Sequence, residues 1–138
     1  MRKIKIFFDA SVLFAALYSA HGASRKLVEL IQQEFSAGFT TQTIITELAQ
    51  NLHKLQSNNI IKLDHYLMQS HLIIRQAITL AEIEPWLKQI ELKDAHVVAG
   101  AALTQCDYLV TLDKKHLNNP IIQQRVTQIV IIAPKELL

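Results

Sequence analysis

The chain has 138 residues, half of them apolar, with 14 lysines and arginines against 12 acids and a formal net charge of +2. That length predicts one domain able to bury roughly two-thirds of its unfolded surface, and the small positive charge is well short of the footprint of a dedicated nucleic-acid-binding module. A single cysteine, Cys106, excludes an intrachain disulfide, and no run of about 20 apolar residues exists to cross a bilayer.

Taken in chain order, residues 4–8 (IKIFF) are short, apolar and aromatic, as suits a strand buried on both faces. Arg2 and Lys3 precede too short an apolar run for a secretory signal before Asp9 ends it, so a reducing, cytoplasmic location is expected. Residues 11–19 read as a short helix. Residues 24–35 carry Leu27, Leu30, Ile31 and Phe35 on one helical stripe, with Gly38 placed to end it. A short second strand is expected at 39–41, a helix at 43–55, a break at 57–59 and a further helix at 60–75 with Leu63, Leu67 and Ile74 on one face. A third strand is expected at 78–81, and a loop or short helix around Pro85 and Trp86. Residues 94–105 are apolar nearly all round, as in a helix packed between a sheet and another layer, and Cys106 near its end reads as a small core residue. Strands are expected at 108–112 and 128–132, the latter stopped by Pro134.

Strands alternating with helices predict an α/β domain: three α/β/α layers around a mainly parallel central sheet. In such folds the carboxyl ends of the strands and the amino ends of the following helices share one edge, where ligand sites form. Asp9 and Asp113 end the first strand and the strand at 108–112; Glu47 and Asp94 lie in the opening turns of helical segments. All four carboxylates are therefore expected on one edge. Taken singly, Asp9 or Asp94 reads as a cap or turn residue; the coincidence of four points to a pocket of hard oxygen ligands for a divalent cation. Asp107 starts its strand and belongs to the opposite edge. The six histidines show no zinc-site spacing.

The runs 93–102 (KDAHVVAGAA) and 106–117 (CDYLVTLDKKHL), the opening 7–13 (FFDASVL) and Thr46-Glu47-Leu48 together resemble the PIN-domain family over essentially the whole chain. The resemblance implies a metal-dependent ribonuclease of the kind found as the toxin in bacterial toxin–antitoxin pairs. It would assign Asp9, Glu47, Asp94 and Asp113 to the acidic cluster that holds Mg²⁺ or Mn²⁺. Asp9 and Asp94 would be the principal ligands, with Glu47 and Asp113 bound directly or through water. Ser11 stands where the family often has Asn or Thr and keeps a hydroxyl; Thr111 matches a supporting position. A homodimer and a separately encoded antitoxin are also implied. Surplus apolar residues at Tyr66, Met68, Ile73 and around Trp86 suit an interface.

An acidic site repels RNA, so cationic side chains at its rim must attract it; Arg25, Lys26, Lys114 and Lys115 are the candidates. Two other classes compete. A phosphoacceptor or phosphatase-type α/β domain would use Asp9 as nucleophile, but lacks a second Asp at position 11. A catalytically silent nucleic-acid-binding module would not be expected to keep all four acids.

Overall fold

The computed structural model describes residues 2–54 and 59–138. Five strands form one sheet: β1 (Lys5–Phe8), β2 (Ala37–Thr41), β3 (Ile73–Arg75), β4 (Tyr108–Val110) and β5 (Val130–Ile132). Their spatial order is β3-β2-β1-β4-β5, and each neighbouring pair is parallel, with Phe7 of β1 opposite Phe39 of β2 and Leu109 of β4. Around the sheet lie α1 (Ala10–Tyr18), α2 (Ala23–Gln32), α3 (Gln42–Lys54), α4 (Asn59–Ser70), α5 (Leu80–Ile83), α6 (Leu92–Leu103), α7 (Pro120–Arg125) and α8 (Pro134–Leu137), with a 3-10 turn at Glu84–Trp86. This is the three-layer α/β/α domain expected.

Successive side chains of a strand point to opposite faces, yet Ile6, Phe7 and Phe8 are all buried, so helices cover both sides of β1. Leu109 and Val110 of β4 continue that core. Gly100 lets α6 approach the sheet: a Cβ there would lie 2.7 Å from Phe7 Cζ and 3.0 Å from Thr41 Cγ2.

Three expectations fail locally. The helix expected through 75 ends at Ser70, and β3 occupies 73–75 in place of 78–81. His71 takes a left-handed conformation (φ 63°) and turns the chain, while Ser70 Oγ donates to the Leu67 carbonyl and accepts from Leu72 N–H. Residues 78–81 instead start α5: Thr79 caps it and forms a reciprocal capping box with Glu82, whose carboxylate also pairs with Arg75 of β3. Gly38 sits inside β2, where a Cβ would come 2.6 Å from Leu72 Cδ2; α2 is ended by Glu34 at φ 64°. The sequence reading also lacked α7, which is started by the Asn119 cap and Pro120. The break expected at 57–59 and the helix end at 55 fall largely outside the described residues.

From β1 the chain winds outward through β2 to β3, then crosses back to place β4 on the other side of β1. Connections leaving β1 and β4 thus diverge to opposite sides. The crevice between their carboxyl ends is the topological switch point at which parallel sheets bind ligands.

Candidate active site

Asp9 follows β1 immediately and caps α1. Its Oδ1 accepts from Ala10 N–H at 2.8 Å, and its Oδ2 accepts from the Ser11 hydroxyl at 3.0 Å and the Thr111 hydroxyl at 2.7 Å. Each hydroxyl in turn accepts a backbone N–H, Ser11 from Leu112 at 3.0 Å and Thr111 from Asp113 at 3.1 Å. Both hydroxyl protons are therefore directed at Asp9. The carboxylate is only 7% exposed. Burial pushes its pKa above the ordinary range; the three donors counter that rise and the Glu47 charge adds to it.

The other acids arrive from three separate elements. Asp94 is in the first turn of α6, where the helix dipole favours negative charge. Burial raises its pKa, His116 and Lys93 oppose the rise, and Asp113 and Glu91 reinforce it. Glu47 lies in the second turn of α3, because that helix begins at Gln42, one residue earlier than expected. The dipole support that Asp94 receives therefore fades at Glu47, since it is confined to the first turn. Asp113 follows β4 and opens a tight turn: Oδ1 accepts from His116 N–H at 2.9 Å, and Oδ2 lies 3.2 Å from His116 Nδ1.

Asp9, Glu47, Asp94 and Asp113 line one cavity of about 320 Å³, together with Ser11, Asn51, Lys93 and His96. Four sequence segments thus converge on the switch-point crevice. Among the described residues, the set of ligand-type atoms drawn within 4.8 Å of one another is Glu91, Asp94 and His116, which line an adjoining cavity that shares Asp94. Four carboxylates in one lining, one of them buried, fit Mg²⁺ or Mn²⁺, which take oxygen ligands and retain waters.

The expected RNA contacts divide. Lys114 and Lys115 are exposed just beyond Asp113, and Lys115 lines a neighbouring cavity of about 550 Å³ that shares Asp94 with the acidic one. Arg25 is not brought to the acids. Its guanidinium donates to the carbonyls of Ala16 and Leu17 and lies 5.0 Å from the Tyr66 ring, so it serves the carboxyl end of α1 while Asp9 caps the other. Lys26 is exposed on α2 beside it. Sequence reasoning missed Lys93 and His96. Both flank Asp94 on α6, and only their proximity to it in sequence could have marked them.

Asp107 lies at the opposite edge, accepting from Lys5 N–H at 2.8 Å and pairing with Arg2. Cys106 is buried, and its thiol is pushed up to about 11 by that burial, so it is no nucleophile at neutral pH. Of the surplus apolar residues, Tyr66 and Trp86 pack on the core, whereas Met68 is 84% exposed and Ile73 53%. Among the described residues no helix is long and apolar enough to cross a membrane.

A family profile described as the PIN domain matches residues 5–115. No curated protein matches the chain in sequence. Among solved structures, VapBC2 from Rickettsia felis, crystallised with a promoter DNA fragment, is similar at 16% identity and a TM-score of 0.64, over 93% of this chain and 97% of that one. VapC20 of Mycobacterium tuberculosis, described as a sarcin–ricin-loop-cleaving toxin, is similar at 16% identity and a TM-score of 0.57, over 80% and 91%. A Pyrobaculum aerophilum protein is similar at 16% identity and a TM-score of 0.62, over 97% and 92%.

Proposed function

The chain belongs to the PIN-domain family, and from that premise we propose that it is a metal-dependent endoribonuclease, the toxin of a toxin–antitoxin pair. The observation that carries the reading is the convergence of Asp9, Glu47, Asp94 and Asp113 on one cavity at the switch point. The similarity to VapBC2 and to an RNA-cleaving toxin supports the same direction.

Asp9 and Asp94 would hold the cation most directly, with Glu47 and Asp113 completing the oxygen set. Bound Mg²⁺ or Mn²⁺ supplies charge neutralisation at phosphorus and acidifies water. The protein's part is arrangement. Ser11 and Thr111 fix the Asp9 carboxylate by aiming both their protons at one oxygen. His116 holds Asp113 at the mouth of the turn. Lys93 and Lys115 bring positive charge beside the acids, where a phosphodiester must approach. The attacking water needs no separate general base from the protein.

Regulation follows from the same chemistry. An antitoxin that places an arginine among the four carboxylates would displace the cation through charge-assisted hydrogen bonds. A homodimer would cover Met68 and Ile73, the latter on the edge strand β3. Inducible expression of the intact chain should arrest growth and fragment RNA, and Asp9→Asn should do neither. If cells expressing the intact chain keep growing and their RNA stays whole, the toxin reading fails.

A further inference from the structure

His96 lies on α6 two residues beyond Asp94 and is 8% exposed. Its Nε2 stands 3.3 Å from Glu47 Oε2, while its Nδ1 is buried without a hydrogen-bond partner among the described residues. Together these observations select a tautomer. With the proton on Nδ1, the Nε2 lone pair would face the carboxylate and a buried N–H would lack an acceptor. With the proton on Nε2, an N–H faces the Glu47 carboxylate at ion-pairing distance, and only an acceptor is left unmet. A residue that merely filled this space between α3 and α6 would do better as leucine, with no polar atom to bury.

Glu47 supplies the other half. Its side chain is 50% exposed, and among the described residues His96 is its one hydrogen-bonding or ion-pairing partner. Glutamate has many rotamers to lose, and an untethered one on a helix surface spends its time extended into solvent. Asp9, by contrast, is held by three donors and Asp113 by two.

We propose that His96 is a positioning residue: its Nε2–H holds Glu47 over the acidic cavity and so completes the cation site. This rests on the reading of the cavity as a divalent-cation site. Carboxylates that ligate metals are themselves fixed by hydrogen-bond donors, and loss of such a donor typically weakens metal binding about 10- to 100-fold.

The test is calorimetric titration of Mn²⁺ into the intact chain, His96→Leu and His96→Gln, with melting midpoints in chelator alongside. Leucine removes the donor; glutamine returns an N–H near the Nε2 position. His96→Leu should weaken Mn²⁺ binding by about tenfold or more, His96→Gln should recover most of that loss, and neither should lower the metal-free midpoint. Glu47→Gln should add little further weakening in the His96→Leu background, because the two residues act as one unit. Wild-type affinity in His96→Leu, or a glutamine variant no better than the leucine one, would overturn the positioning role. If the wild-type chain takes up no Mn²⁺, the cation reading itself fails, which is a distinct result.

Discussion

The Thr111 hydroxyl donates to Asp9 Oδ2 at 2.7 Å, so a fully buried side chain just past β4 holds the carboxylate that follows β1. The Thr111 hydroxyl oxygen in turn accepts from Asp113 N–H at 3.1 Å, which ties the turn after β4 into the bond. Thr111→Val keeps the shape and removes both interactions, leaving a partly buried backbone N–H unmet. The expected loss is about 1–3 kcal/mol of stability, read by urea denaturation, with Thr111→Ser losing less. A neutral valine variant would show that water replaces the hydroxyl and that the strand ends are joined by other means.

Asp9 makes the metal-free protein sensitive to pH, with a definite sign. Its folded-state pKa is raised, chiefly by burial. Below the unfolded value the group is protonated in both states and contributes nothing. As pH rises past that value, the unfolded chain releases the proton first, so stability falls until the folded pKa is passed. Asp9→Asn lacks this decline. In chelator, the stability of Asp9→Asn relative to wild type should therefore increase from pH 4 towards pH 7. A difference that stays flat over that range would mean the surrounding donors already offset the cost of burial.

Cation binding should reverse the penalty. Mn²⁺ at about a hundred times its dissociation constant should stabilise the wild-type fold by about 2.7 kcal/mol, and Asp94→Asn should lose most of that gain. Thermal melts with Mn²⁺ and with chelator measure it directly. Coincident wild-type curves at saturating Mn²⁺ would argue against a preformed site.

The edge that carries the site was legible because β1 and β4 announce themselves as apolar runs closed by Asp9 and Asp113. What the sequence hid were helix ends. In this chain the left-handed positions at Glu34, His71 and Gln105 are not glycines. At Glu34 and Gln105 the Schellman pattern is complete: Phe35 N–H bonds to Leu30 O and Glu34 N–H to Ile31 O, as Cys106 does to Ala101 O and Gln105 to Ala102 O. A glycine at 71 would have marked the end of α4 and freed residues 73–75 to be read as β3. The pairing of Glu47 with His96 was obscure for another reason, since it joins α3 and α6 across a distance that no sequence spacing encodes.

Those non-glycine caps carry a cost that can be relieved. Left-handed geometry disfavours a residue with a Cβ by roughly 1–2 kcal/mol, part of which glycine returns through its greater freedom when unfolded. Gln105→Gly should therefore raise stability by about 0.5–1 kcal/mol, read as a shift in urea midpoint with unchanged slope. An unchanged or lowered midpoint would mean that the Gln105 side chain makes up for its backbone.

RNA binding should depend on the lysines after Asp113 and should weaken with salt. Four carboxylates repel a phosphate backbone, so attraction must come from cations beside the cavity. Lys114 and Lys115 follow Asp113 directly and are exposed, with Lys115 lining the cavity that adjoins Asp94. Arg25 is occupied with the carbonyls of α1 and is not available to the same degree. Measured with Asp9→Asn, so that the strand is not cut, log affinity for single-stranded RNA should fall linearly with log salt by about 0.7 per phosphate neutralised. Lys114→Glu with Lys115→Glu should make that slope shallower by about 1.4 if each lysine neutralises one phosphate, and should weaken binding without shifting the melting midpoint. The matching reversal at Arg25 should instead destabilise the fold, because the carboxyl end of α1 loses its donor. If the lysine pair changes neither slope nor affinity while the chain stays folded, the RNA path and the cations that attract it lie elsewhere on the surface.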